Sequence, residues 1–167
     1  MPNWCTNSVR LEGKEEHRQE FVDKNKGFSL WDTHKEKGYH DLSFNASVPC
    51  PQKHINSHLK SSANSDWFSW CNKNWGTKWE ATEPRLWHSK DSTSYSFDTA
   101  WCSPLTWVTK VSKKFPHIKF TVEWAEEGGS GGEYMIHGGD CFYDTVMSEE
   151  RWKSVMGYEE EEEEEEW

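Results

Sequence analysis

Three segments concentrate side chains that ordinary packing does not require: Asn3-Trp4-Cys5-Thr6-Asn7, Asn74-Trp75-Gly76-Thr77-Lys78-Trp79 and Phe97-Asp98-Thr99-Ala100-Trp101. Indole faces stack on bases, sugars or cations, and a neighbouring ammonium holds phosphate. Lys78 stands between Trp75 and Trp79, in a turn that lets both rings flank one pocket. These residue types suit the binding of a small nucleotide-like ligand. Trp4, Trp75, Trp79 and Trp101 would supply stacking surfaces, Lys78 positive charge, and Asn7, Asn45, Asn74, Asp98 and Glu123 hydrogen bonds to a polar edge. The competing reading is structural: tryptophans bury a large area wherever they lie, so the rings plug the open end of a small core. The amides then latch the middle of the chain to its first strand, since an amide among aromatics must be fully paired.

Other chemistry is weaker. Asp98 and Glu123 are expected on neighbouring strands, where a close carboxylate pair shares a proton and suits acid–base work; two acids on a wet sheet face are otherwise simply solvated. The sequence has no serine nucleophile elbow, phosphate-binding glycine loop or zinc-protease helix, so it leans away from an enzyme. Cys50, His54 and His58 recur at four-residue intervals with Cys71 downstream, which offers four soft ligands to zinc if residues 51–58 turn helical. No paired-ligand knuckle accompanies them, and surface histidines with inert thiols explain the same residues. No cofactor is expected.

The elements that must position these residues follow from periodicity. Residues 4–11 alternate, with Cys5, Asn7, Val9 and Leu11 on one face. Residues 14–24 read as a short helix with Phe21 and Val22 inward. Residues 42–48 alternate again and end at Pro49, which reads as a second strand. The span 52–65 reads as a loop or irregular helix, and Asp66 or Ser65 caps a helix carrying Trp67, Phe68, Trp70 and Cys71 that stops at Gly76. Residues 93–101 form a strand with Tyr95, Phe97, Thr99 and Trp101 on one side, Pro104 opens a helix to about Lys114, and residues 118–124 alternate once more. The glycines 128, 129, 131 and 132 mark a turn before a last strand at 133–137.

The order strand, helix, strand, strand, helix, strand is the ferredoxin-like pattern. The fold class expected is α+β: an antiparallel sheet with two helices on one face, a Trp-rich insertion at about 50–92 and an added C-terminal strand. One domain spans residues 1–157, and 158–167 form an acidic disordered tail. The sheet face away from the helices, with Thr6, Asn45, Ser96, Asp98, Thr121 and Glu123, is free to carry a site or to be solvated.

Composition limits the partners. The formal charge of −10 falls to −2 once the eight consecutive residues Glu159–Glu166 are set aside, so the body has no basic field for nucleic acid. Twelve Trp and five Tyr make the core aromatic rather than aliphatic. Five widely spaced cysteines without a Cys-x-x-Cys pair argue against a disulfide framework. With no signal peptide or membrane span, a cytoplasmic location is expected.

The opening Met1–Asn7, the Phe44-Asn45 segment followed by Val48-Pro49 and Pro51, the Asn74–Trp79 element, the Phe97–Trp101 strand with Pro104, and the Glu123–Gly132 turn resemble the YubB ferredoxin-like family, which phages and plasmids carry. The match covers most of residues 1–137. It implies a ferredoxin-like fold and a mobile-element origin, and no activity. The chain departs from the pattern in its polar stretch at 52–65, its Trp-Cys-Ser before Pro104 and its acidic tail. The function expected is an accessory protein that binds a host protein or a small nucleotide-like ligand, to blunt a host defence. An enzyme using Asp98 and Glu123, or a single-stranded nucleic-acid module, stands as the alternative.

Overall fold

The alternation of residues 4–11 holds in three dimensions: Cys5, Asn7, Val9 and Leu11 are buried and Ser8 and Arg10 are exposed. The computed structural model describes residues 2–30, 38–59 and 66–158, with backbone alone at 57–59. In chain order its elements are β1 (Trp4–Glu12), α1 (Glu15–Lys24), β2 (Gly27–Phe28), β3 (Tyr39–His40), α2 (Phe44–Ser47), α3 (Gln52–Leu59), α4 (Asp66–Asn74), β4 (Thr82–His88), β5 (Thr93–Ala100), α5 (Leu105–Lys114), β6 (Lys119–Glu126), β7 (Gly131–His137), β8 (Asp140–Val146) and α6 (Glu149–Met156). Among the described residues six strands form one antiparallel sheet, in the order β4-β5-β1-β6-β7-β8, and β2 pairs with β3 apart from it. No helix among them is long and apolar enough to cross a membrane.

The unit β1-α1-β4-β5-α5-β6, with spatial order β4-β5-β1-β6, is the ferredoxin-like pattern, and β7 and β8 extend it. Phe21 and Val22 of α1 and Trp107, Val108 and Val111 of α5 bury against Val9, Leu11, Tyr95, Phe97, Phe120 and Val122. Phe21 meets Tyr95, Phe115 and Phe120 edge-on at centroid distances of 5.0–5.9 Å, the geometry that ring quadrupoles favour.

The expected strand at 42–48 is instead the single helical turn α2. Leu42, Phe44 and Val48 do face the core while Ala46 is exposed, and the backbone is bent by a buried carboxylate that is distant in sequence. Glu80 accepts from the amides of Phe44 (2.6 Å) and Asn45 (3.2 Å) and from the Ser43 hydroxyl (3.1 Å), capping the turn as an anion caps a helix start. Phe44 is thereby fixed against Trp107 (4.6 Å), Phe97 (5.7 Å) and Trp75 (5.9 Å).

The second strand of the pattern is β4, unheralded by apolar alternation. Glu83 has φ +48°, the pairing with β5 slips between Thr82 and Arg85, and Pro84 lies inside the strand. A sheet edge is where a proline and a bulge are tolerated. The span 52–65 yields α3 over its described part, and α4 ends at Asn74, two residues before the Gly76 expected as its stop. Two further elements follow β7. The α6 helix carries clear signals: the Ser148 side chain accepts from the Arg151 amide, Glu149 and Glu150 fill the first turn, and Gly157 closes it at φ +77°. Of the tail expected at 158–167, Tyr158 stacks on Trp152 at 5.4 Å, and residues 159–167 lie outside the described residues.

One cation holds the hairpin between β4 and β5. Arg18 is buried, and it donates to the carbonyls of Gly13 (3.0 Å), Ser89 (3.0 Å) and Lys90 and to the Thr93 hydroxyl (2.7 Å). A planar fork reaches these separated acceptors where an ammonium cannot. Arg18→Ala is expected to lower stability by about 2–3 kcal/mol in urea denaturation, because several acceptors lose their donor, with Arg18→Lys recovering less than half. A loss near zero would show the hairpin to be held by other contacts.

Glu80 gives a pH signature. Burial pushes its carboxyl up to about 7 from the ordinary 4.5, with the Phe44 and Asn45 amides and the Ser43 hydroxyl pulling it back down. Between those values the folded chain binds more protons than the unfolded chain, so this group's contribution is full below pH 4.5 and is lost as pH rises to about 7. The stability of the wild type relative to Glu80→Gln, measured in urea, is expected to fall over that interval and level off above it. A difference independent of pH would contradict the assignment.

Candidate aromatic site on the outer sheet face

Residues 76–80 leave the core and return to it within one loop, and the two ends are tied. Gly76 lies at φ +81°, and a Cβ there would stand 3.1 Å from the Thr106 hydroxyl and 3.2 Å from its amide, so a side chain would be strained and crowded. Buried Thr77 donates to the Ala100 carbonyl at the end of β5 (3.0 Å). Glu80 is buried at the α2 turn. Lys78 and Trp79, between these two anchors, have no core position and are left half-buried.

Their neighbours are aromatic. The Trp79 ring lies 6.1 Å from Trp4 at an interplanar angle of 41°. The Lys78 ammonium stands 4.4 Å from the Trp79 centroid and 5.9 Å from that of Phe68, a cation–π arrangement. Lys78 is therefore flanked by Trp79 and Phe68, and the expected flanking by Trp75 is corrected. Trp75 is fully buried, donates its Nε1 proton to the Val48 carbonyl (2.9 Å) and packs edge-on against Trp70 (5.4 Å). It is a core ring whose indole N–H found a partner inside.

Trp4 opens β1 opposite Ala100, and Thr6 pairs with Asp98, so Trp4 and Asp98 are diagonal neighbours on the outer face, about 7–8 Å apart. Thr6 donates to the Asp98 carboxylate (3.0 Å). Burial pushes the Asp98 carboxyl up, the carboxylates of Glu83 and Glu127 add to that, and the Thr6 bond and Arg85 oppose it. Glu127 accepts from the Trp4 amide (2.8 Å) and fixes the start of the strand.

The strand alternation expected over 93–101 puts Trp101 on the side of Tyr95, Phe97 and Thr99. The strand stops at Ala100, and Trp101 adopts φ +73° with its side chain 55% exposed. Its amide donates to the Asn3 carbonyl (2.9 Å), and the Cys102 amide folds back on the Ala100 carbonyl (3.0 Å). The left-handed conformation costs a non-glycine residue about 1–2 kcal/mol. Strain of this kind clusters at active sites, ligand clamps and switch regions.

The other expected site residues lie elsewhere. Asn7 is fully buried and donates to the Thr99 hydroxyl (2.9 Å) and the Cys5 carbonyl (3.0 Å), stapling β1 to β5. Asn45 lies on α2, where its side chain accepts from the Cys50 amide (2.7 Å), and not on the sheet face. Asn74 donates back to the Trp70 carbonyl (2.9 Å) at the end of α4 and accepts from Lys110 (2.5 Å). These amides are satisfied structural groups.

Asp98 and Glu123 do not pair. The β1 strand separates them, since it is hydrogen-bonded to β5 on one side and β6 on the other. Two strand spacings amount to about 10 Å. Arg151 of α6 also grips Glu123 with two bonds, at 2.7 and 3.0 Å, so the shared-proton arrangement is absent. Of the weaker metal candidates, Cys50 and Cys71 interact with each other and the intervening span is helical from Gln52. Cys50 and Cys71 are buried, His54 lies against Trp70 (6.3 Å), the His58 side chain is outside the described residues, and no group of three ligating side chains suited to a metal occurs among the described residues.

What the sequence did not disclose is Phe68 as the second ring beside Lys78 and Glu80 as the anchor beneath it. Phe68 sat within a recognised helix whose facing was unknown. Glu80 follows Trp79 with no pattern that marks burial.

Comparisons with known proteins bear on the fold. The family profile described as the ferredoxin-like domain in Api92-like protein matches residues 69–167. The crystal structure of protein api92 from Yersinia pseudotuberculosis superposes with a TM-score of 0.66, covering 89% of this chain and 99% of that one at 9% sequence identity. At that identity the likeness speaks of the fold alone. No curated protein matches. With its sheet order and its matched C-terminal part taken together, the chain belongs to the Api92-like family of ferredoxin-like proteins.

Proposed function

We propose that this protein is a non-enzymatic binding protein whose outer sheet face, at the start of β1, takes a small nucleotide-like ligand. The observation that carries the reading is the Lys78 ammonium seated 4.4 Å over Trp79, with Trp4 beside that ring. A planar base stacks on such a surface, its phosphate meets Lys78, and its polar edge hydrogen-bonds to Asp98. Trp101 borders the same end of the sheet. The site therefore consists of Trp4, Lys78, Trp79, Asp98 and Trp101, with Thr6 orienting the carboxylate.

The separation of Asp98 from Glu123 removes the support for acid–base catalysis. The near-neutral body favours a small ligand over a long nucleic acid, whose backbone needs many cations. The resemblance of residues 1–137 to the YubB type supports an accessory role in a mobile element, with a host nucleotide signal or a host component as the target and a host defence as what it blunts.

Titration with a panel of mononucleotides, followed by tryptophan fluorescence, tests the reading. Saturable quenching is expected with at least one member, reduced about tenfold or more in apparent affinity by Trp79→Ala and by Lys78→Ala. Quenching that survives both substitutions would place the ligand elsewhere, and its absence across the panel would favour a macromolecular target.

A further inference from the structure

The two edges of the sheet are built differently. The β4 edge carries a left-handed Glu83 and a proline, Pro84, inside the strand, devices that stop another strand from pairing there. The β8 edge has neither proline nor lysine nor arginine in Asp140–Val146, and all seven residues are exposed. Phe142 is 56%, Tyr143 43% and Val146 88% exposed. Among the described residues β7 is the only strand paired with β8, so the outer row of β8 backbone donors and acceptors faces outward, interrupted only where the register slips beside Phe142.

The surroundings of this edge are acidic. Asp140 and Asp144 lie on β8 itself, Glu133 sits opposite Thr145 on β7, and Glu149 and Glu150 open α6. Of the nearby cations, Arg151 is engaged by Glu123 and Lys153 by Glu149, while the Lys113 side chain lies against Gly139 at the turn into β8. A second copy of the chain laid along β8 would bring two acidic edges together, and like charges oppose such an interface. A cationic strand would meet complementary charge and the same apolar side chains.

We propose that β8 is a strand-addition edge that takes an extended, lysine- or arginine-bearing segment of another protein as a seventh strand. Main-chain hydrogen bonds supply affinity; on one face Tyr143 packs the incoming side chains beside Asp140, and on the other Val146 does so beside Asp144, the two carboxylates selecting cationic side chains. This surface is separate from the aromatic site, which lies on β1, β5 and the loop at 76–80.

The test uses the full chain and a fluorescein-labelled seven-residue peptide of alternating lysine and valine, read by anisotropy and by amide hydrogen exchange. Saturable binding is expected, with slowed exchange localised to β8. The same peptide N-methylated at alternate backbone nitrogens is expected to bind about tenfold or more weakly, as is the parent peptide to the Asp140→Lys, Asp144→Lys variant, whose fold is checked by circular dichroism. Charge attraction to Glu159–Glu166 survives N-methylation, so equal binding of both peptides would overturn the proposal. So would no binding of the parent peptide, full binding to the folded charge-reversed variant, or a dimer in sedimentation that protects β8 without peptide.

Discussion

A carboxylate buried beneath a loop is the constraint from which the candidate site follows. Glu80 has left water entirely, and such a group is tolerated only where donors converge on it. The Ser43 hydroxyl and the amides of Phe44 and Asn45 do so, which converts an alternating segment into a helical turn and sets Phe44 among Trp75, Phe97 and Trp107. The same anchor, with Thr77 bonded to the Ala100 carbonyl, leaves Lys78 and Trp79 as the two residues of the loop that cannot enter the core. Their exposure is thus a consequence of what is buried on either side.

The sheet is asymmetric in the same sense. Its inner face is covered by α1 and α5 around an aromatic core. Its outer face is divided: α6 lies over β6, with Arg151 on Glu123 and the Trp152 indole donating to the Glu126 carbonyl (2.9 Å), whereas the start of β1 has aromatic rings and a single ammonium over it. One half of that face is closed by a helix the chain supplies, and the other carries the rings and the ammonium on which the proposed site rests.

Much of the fold was legible because it rests on local alternation and capping. The strands β1, β5, β6 and β7 and the helices α1, α4 and α5 announce themselves by period and by Gly76 or Pro104. The segment at 42–48 misled because its period-two pattern is real, but its geometry is decided by Glu80, more than thirty residues away. The β4 strand was hidden because an edge strand with Pro84 and Glu83 has no apolar face to display. In the site, Trp4, Lys78, Trp79 and Asp98 were legible as unusual residues, and the structure groups them. Trp75 and Asn7 were equally unusual for the opposite reason: each is a polar-bearing side chain taken wholly into the core with its partners found there. Residue type alone does not separate those two cases; burial does.

Native mass spectrometry of the gently purified chain, beside its Trp79→Ala variant and against the denatured masses, tests the central claim most directly. The account predicts a discrete excess mass on the native wild type that is lost on denaturation and absent from the variant. A native wild type with the mass of the bare chain, or an excess mass that the variant retains in full, would contradict the assignment of the aromatic face as the ligand site.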